Sequence, residues 1–196
     1  MKSTNRAFRE KRVTLEFKGT AALLLAAMLS GCASLGIDSA ENVELQHIAI
    51  NKQEALRQTN AWRAKHALPP IKLDPHLTEV SQNMADHIAS LDSLKTRRHS
   101  SSSLLSRTQT NGYKSYAGAE NLGAGYANIS AAMNGWKTSP DHNKNLLNKH
   151  VTHMGIARTN RTNGTYRNFW VMTLAAPQKP VTATGFTTVS LPFPVQ

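Results

Sequence analysis

One run of eleven residues, "YRNFWVMTLAA" at 166–176, restricts the fold more than any other part of this 196-residue chain. Its alternate positions form two sets, Phe169 and Val171 against Trp170, Met172 and Leu174, and both sets are apolar. A strand with one wet face alternates apolar with polar, whereas a strand that is apolar on both sides has to be covered on both. The run is therefore expected to be a central strand with a helical layer on each side. Its expected partner is "HMGIART", residues 153–159, because Asn163-Gly164 between them is a strong hairpin signal.

The rest of the chain has to supply the two covering layers. Residues 45 to about 67 lack Gly and Pro and read as a helix, with Leu45, Ile48, Leu56 and Trp62 as an imperfect apolar stripe that Lys52 interrupts. "LPPIKLDP" then enforces extended backbone. A clearer helix follows. Asp74 is placed as its N-cap and Pro75 at its first position, and Leu77, Val80, Met84, His87 or Ile88, and Leu91 recur at helical spacing. His87 sits at the edge of that stripe and reads as a packing or capping residue. Residues 93–111 are Ser-rich and basic, a loop with a short helix around Leu104 to Thr108. Another helix is expected at about 127–137. Together these features predict an α/β fold, a three-layer α/β/α sandwich with a small, mainly antiparallel central sheet.

The N-terminus carries a different signal. Six Lys or Arg precede the apolar run "AALLLAAMLS" at 21–30, which is too short to span a bilayer comfortably, since spanning takes about 20 residues. A basic head before a short apolar core is the pattern of a secretory signal peptide. The run ends in "LSGC", which resembles the lipobox of bacterial lipoproteins and implies cleavage before Cys32 and acylation of its sulfur. Cys32 is the only cysteine, so no internal disulfide exists. The expected organisation is a signal peptide at 1–31, an acylated Cys32 and polar tether at 32–44, one domain at 45–176, and a Pro-containing tail at 177–196. The tether would hold the domain at the bacterial envelope, and Ala33 after the cysteine favours an outer membrane, facing the periplasm, in a Gram-negative cell.

The net charge of +11 is unevenly placed. Six of the 23 basic and two of the 12 acidic residues precede Cys32, so the remainder carries seventeen against ten, a net of +7. A basic surface of this size favours anionic lipid or cell-wall partners. No nucleic acid partner is expected, because the basic residues are scattered without aromatic interleaving.

The polar motifs fall in a recognisable order. "NAWRAKHALPPIKLDPHL" is followed by "MADHIAS", a lone "HS" at His99, "GAENLGAG" at 118–125, W-x-x-S-P-x-H at 136–142, "MGIA" and "FWVMTLAA". This series resembles the CAP superfamily of cysteine-rich secretory, antigen 5 and pathogenesis-related proteins, in its cysteine-free bacterial branch, over about residues 48–176. The resemblance implies an open cleft lined by two His and two acidic residues. His99, Glu120 and His142 match three of these four. The fourth position, three residues after Trp136, is Ser139 in place of a carboxylate.

Two functions follow from that resemblance. One is a non-catalytic, envelope-anchored domain that binds a lipid, a cell-wall fragment or an envelope protein in its cleft. The other is a divalent-metal-dependent hydrolase in which His99, Glu120 and His142 hold a Zn, Mg or Ca ion and its water. Loss of the second acid at Ser139 favours the binder. No cofactor other than such a cation is implied. The sequence lacks a G-x-S-x-G elbow and a P-loop. "HVTH" at 150–153 is not a zincin motif: His150 reads as a loop residue and His153 as an exposed residue at a strand entry.

Overall fold

A computed structural model describes residues 43–178. The expected signal peptide, Cys32, the lipobox, most of the tether and the tail beyond Gln178 lie outside the described residues. The elements are, in order, β1 (Leu45–His47), α1 (Lys52–Lys65), β2 (Lys72–Leu73), α2 (Pro75–Leu91), α3 (Ser101–Thr110), β3 (Ser115–Ala124), α4 (Ile129–Thr138), α5 (Pro140–Leu146), β4 (His153–Arg161) and β5 (Asn168–Pro177).

The sheet runs in the order β1-β4-β5-β3. All of these neighbours are antiparallel, and the two-residue β2 adds to β4 in parallel. β5 is thus interior, flanked by β4 and β3, as its double apolar pattern requires. Trp170, Met172 and Leu174 join Met154 and Ile156 of β4 in a core closed by Ala55, Ala132, Met133, Trp136 and Leu146 from α1, α4 and α5. Phe169 and Val171 point the other way, into Met84, Ala85, Ile88 and Ala89 of α2. Three layers result because consecutive side chains on a strand alternate faces.

Helix α2 follows its sequence signals closely. Asp74 Oδ1 accepts the Leu77 N–H at 3.0 Å, Pro75 opens the helix, and Leu77, Val80, Met84 and Ile88 are buried on one face. His87 lies half-buried beside that face and hydrogen-bonds Thr96 Oγ1 at 2.8 Å, so Ile88 is the core member of the pair. Leu91 is exposed. The helix ends at Asp92, in the left-handed region at φ 48°, whose carboxylate accepts the Thr165 and Tyr166 N–H groups. Asp92 thereby ties the 162–167 loop of the β4–β5 hairpin to α2.

Other expectations need correction. The helix expected over 45–67 begins only at Lys52, because Asn51 caps it by accepting the Glu54 N–H at 2.9 Å. Residues 45–47 instead form an edge strand. They pair with 159–161 of β4, and His47 Nε2 meets Asp86 Oδ2 of α2 at 2.9 Å. A tertiary pairing partner overrides local helix preference here. The helix expected at 104–108 extends over 101–110, capped by Ser100. Residues 177 and 178, expected in the tail, are tied to the sheet: Pro177 belongs to β5, and the Gln178 N–H donates to the Lys114 carbonyl at 2.8 Å. His153 does stand at a strand entry, but it is half-buried, because its Nδ1 shares a 3.1 Å hydrogen bond with the Tyr113 hydroxyl. His150 lies in an exposed loop, as expected.

Two buried polar side chains fasten the layer that carries α5. Arg63 of α1 is fully buried and donates to the Pro69, Leu146 and Asn148 carbonyls at 2.9–3.0 Å. It therefore gathers the proline loop and the end of α5 around one guanidinium, whose fixed fork of donors suits several carbonyls at once. Trp136 Nε1 donates to the Leu122 carbonyl at 2.9 Å and seats α4 on β3.

Candidate functional site

Strand β3 forms one edge of the sheet, and its two central polar residues point in opposite directions. Glu120 pairs in register with Thr173, whose side chain bonds Ser81 of α2, so Glu120 faces the α2–α3 layer. Asn121 pairs with Met172 and faces α5. There it donates to the His142 carbonyl at 3.1 Å and accepts from Asn145 Nδ2 at 2.9 Å. The same Asn145 amide donates to the Glu120 carbonyl at 3.1 Å. Backbone and side chains of "AEN" thus knit α5 to the sheet edge.

The Glu120 side chain is only 2% exposed and is surrounded by donors. His99, in the turn leading into α3, donates from Nδ1 to Oε2 at 3.0 Å. A carboxylate oxygen accepts, so the shared proton is carried by His99 Nδ1, and Nε2 lies outside this hydrogen bond. Arg107, on α3, donates from Nη2 to both Glu120 oxygens at 3.0 Å and to the Arg98 carbonyl at 3.3 Å. Sequence reasoning missed Arg107. Its signal is position: it stands three residues after Leu104, a buried residue of α3, and so shares the inward face. Asn145, three residues after His142, was missed in the same way.

A cavity of about 190 Å³ opens here, lined by His99, Ser100, Ser101, Leu104, Gly118, Ala119, Glu120 and Asn145. A second, of about 210 Å³, adjoins it through Ser101, Leu104 and Gly118 and adds Leu105, Ser115, Tyr116 and Ala117. Polar groups dominate the first cavity and apolar surface the second.

Of the four expected cleft residues, the structure brings His99 and Glu120 into contact. His142 is near enough that the charge of His99 bears on it. Its pKa is lowered, mainly by burial and secondly by His99, with Asp141 opposing. Ser139 is the N-cap residue of α5, but its side chain makes no capping hydrogen bond, and it does not line the His99–Glu120 cavity.

The expected metal triad of His99, Glu120 and His142 does not fit this arrangement. Among the described residues no group of three or more His, Cys, Asp or Glu side chains is placed to hold a metal ion. The carboxylate is already bound to a guanidinium. A dication beside the pair would be repelled by Arg107 about as strongly as Glu120 attracts it, since each carries one unit charge, so the site offers it no net coulombic gain.

The lowered pKa of His142 has a signed consequence. The unfolded chain takes up that proton first, so His142 adds full stability above about pH 6.5, and this is lost as the pH falls toward the folded value. Urea unfolding at pH 7.5 and 5.5 is expected to show a smaller acid-induced drop in midpoint for His142→Gln than for the wild type. Equal drops would show that His142 does not carry this dependence.

The fold and the His99–Glu120 edge define a CAP domain. The model of the CAP family, the cysteine-rich secretory protein family, matches residues 56–174, more than half of the chain, and the chain belongs to that family. Among curated proteins it is 27% identical over 106 residues to the "Uncharacterized membrane protein YlbC" of Bacillus subtilis, covering 54% of this chain and 31% of YlbC. Among solved structures it is similar to an extracellular protein containing an SCP domain from Bacillus anthracis, with TM-score 0.52 and 26% identity, covering 63% of this chain and 39% of that one. It also shares its fold with an outer surface protein of Borrelia burgdorferi, with TM-score 0.58 and 17% identity, covering 69% of this chain and all of that one. The chain thus spans less than half the length of YlbC and of the B. anthracis protein. Among the described residues no helix is long and apolar enough to cross a membrane.

Proposed function

We propose that this protein is an envelope-anchored CAP-domain lipoprotein that binds a cell-wall fragment in the paired cavities beside β3. The observation that carries the reading is the state of Glu120: a buried carboxylate whose two oxygens are held by Arg107 and His99 is a structural acceptor, not a free acid or base. What remains for a ligand is a set of short polar groups, Ser100, Ser101, Asn145 and His99 Nε2, next to the half-exposed ring of Tyr116. Hydroxyl, amide and imidazole groups beside an exposed aromatic suit a sugar-bearing ligand better than an acyl chain. An acyl chain would gain nothing from the polar cavity, and the apolar one is short.

Titration of the full chain with soluble muropeptides, followed by amide chemical shifts, tests this. Saturable shifts at Ser101, Gly118 and Asn145 are expected. Shifts only with phospholipid vesicles, or none at all, would overturn the ligand class.

The anchor is tested separately. The relatives described as a membrane protein and as an extracellular protein support an envelope address, and the lipobox-like "LSGC" supports Cys32 as the acylated residue. Several acyl chains contribute about 0.8 kcal/mol per buried CH₂, enough to hold a domain firmly. Cys32→Ala is expected to move most of the protein from the membrane pellet to the soluble envelope fraction, or to stall it unprocessed. A processed variant that stays in the pellet would overturn the anchor.

A further inference from the structure

We infer that Arg107 is a built-in cation standing where a divalent metal would otherwise meet Glu120, so that this cleft is held together and kept open to ligand without bound metal. The geometry comes first. One guanidinium nitrogen reaches both Glu120 oxygens at 3.0 Å, and the carboxylate is 2% exposed. His99 takes a further site on Oε2. The carboxylate is thereby committed on both oxygens.

The second observation is the donor count. Among the described residues the site supplies no third His, Cys, Asp or Glu side chain in ligating position. Zinc sites use at least three protein ligands in nearly every case, and Ca²⁺ six to eight oxygens. Third, the surroundings are positive: the charges of Arg98 and Arg107 both bear on His87 of α2. In its present place Arg107 has Nε and Nη1 buried without hydrogen-bond partners among the described residues, so its hold on Glu120 and on the Arg98 carbonyl runs through Nη2 alone.

The substitution changes how the site behaves. A guanidinium stays charged at every working pH and cannot be removed by a chelator. It donates to Glu120, and Glu120 in turn accepts from His99 Nδ1, leaving Nε2 outside this hydrogen bond and open to a ligand. Arg107 is a positioning residue in this scheme, acting through Glu120 on His99. The inference holds whatever ligand the cleft takes.

Equilibrium dialysis of the purified full chain against Zn²⁺ alone at pH 7.5 is the test, with metal analysis of the wild type, His99→Ala, Arg107→Met, Arg107→Lys and the Arg107→Met/His99→Ala pair. The wild type and His99→Ala are expected to retain equal zinc. Arg107→Met is expected to bind Zn²⁺ at least tenfold more tightly than the wild type, though still weakly because Glu120 and His99 supply only two protein ligands, with the gain abolished by adding His99→Ala. Arg107→Lys keeps the charge and should resemble the wild type. Zinc in the wild type that His99→Ala removes would overturn the inference. So would a folded Arg107→Met that gains none. Should Arg107→Met not fold, the comparison of wild type with His99→Ala decides alone. A separate readout is the imidazole ¹⁵N pattern of His99, expected to show the Nδ1–H form in the wild type whether or not EDTA is present. A change on adding EDTA would likewise overturn the inference.

Discussion

Gly155→Ala is expected to abolish cooperative folding or to lower stability by about 3 kcal/mol or more, at or beyond the upper end of the usual overpacking cost. Gly155 lies on β4, on the face that α2 covers. A methyl group there would overlap the Leu77 carbonyl carbon and oxygen and the Thr78 nitrogen, all of them backbone atoms. A side chain can swing aside, but backbone at the first turn of α2 can only move with the helix. That helix supplies Leu77, Val80, Met84 and Ile88 to the core and Ser81 to Thr173, so displacing it opens one whole face of the sheet. Urea unfolding followed by tryptophan fluorescence reads the effect, since Trp170 lies on the neighbouring strand. A midpoint within experimental error of the wild type would show that α2 docks more loosely than its contact with β4 implies.

Glu120→Ala is expected to cost about 3–5 kcal/mol, the range for removing one partner of a buried ion pair. The loss is expected to arise from the partner left behind. Arg107 would keep its charge with only the Arg98 carbonyl at 3.3 Å to accept from it, and His99 would lose its orienting acceptor. Coupling makes the prediction sharper. The double variant Glu120→Leu/Arg107→Leu is expected to cost clearly less than Glu120→Ala alone, because no uncompensated charge remains. If the double variant is the worse of the two, the pair contributes net stability beyond mutual neutralisation, and the account of the site has to change. Both variants are expected to retain β3 pairing with β5, and circular dichroism separates loss of the site from loss of the fold.

Much of the architecture was legible in the chain. The double apolar pattern of β5 required two covering layers, and Asp74-Pro75 placed the start of α2, because these signals are local and steric. β3 was not legible in the same way. Its "SYAGAENLGA" has small residues in place of an alternating apolar pattern, and it becomes a strand by pairing with β5 from Ala117 to Ala124. β1 was misread for a related reason: three residues with no strong preference follow whichever partner reaches them, and β4 does.

The site divides along the same line. His99, Glu120 and His142 stood out by motif order, and the structure does bring His99 to Glu120. Ser139, expected in the cleft, stands at the N-cap of α5, makes no side-chain cap and lies off the cavity. Arg107 and Asn145, which set the chemistry of the pair, carried no motif at all. The sequence alone determined the covered central strand and the order of motifs that marks the family. Whether Glu120 met a metal, a proton or a guanidinium was decided only by the tertiary fold. A helix face points in a direction set by packing, and it was the seating of Leu104 that turned Arg107 toward the carboxylate.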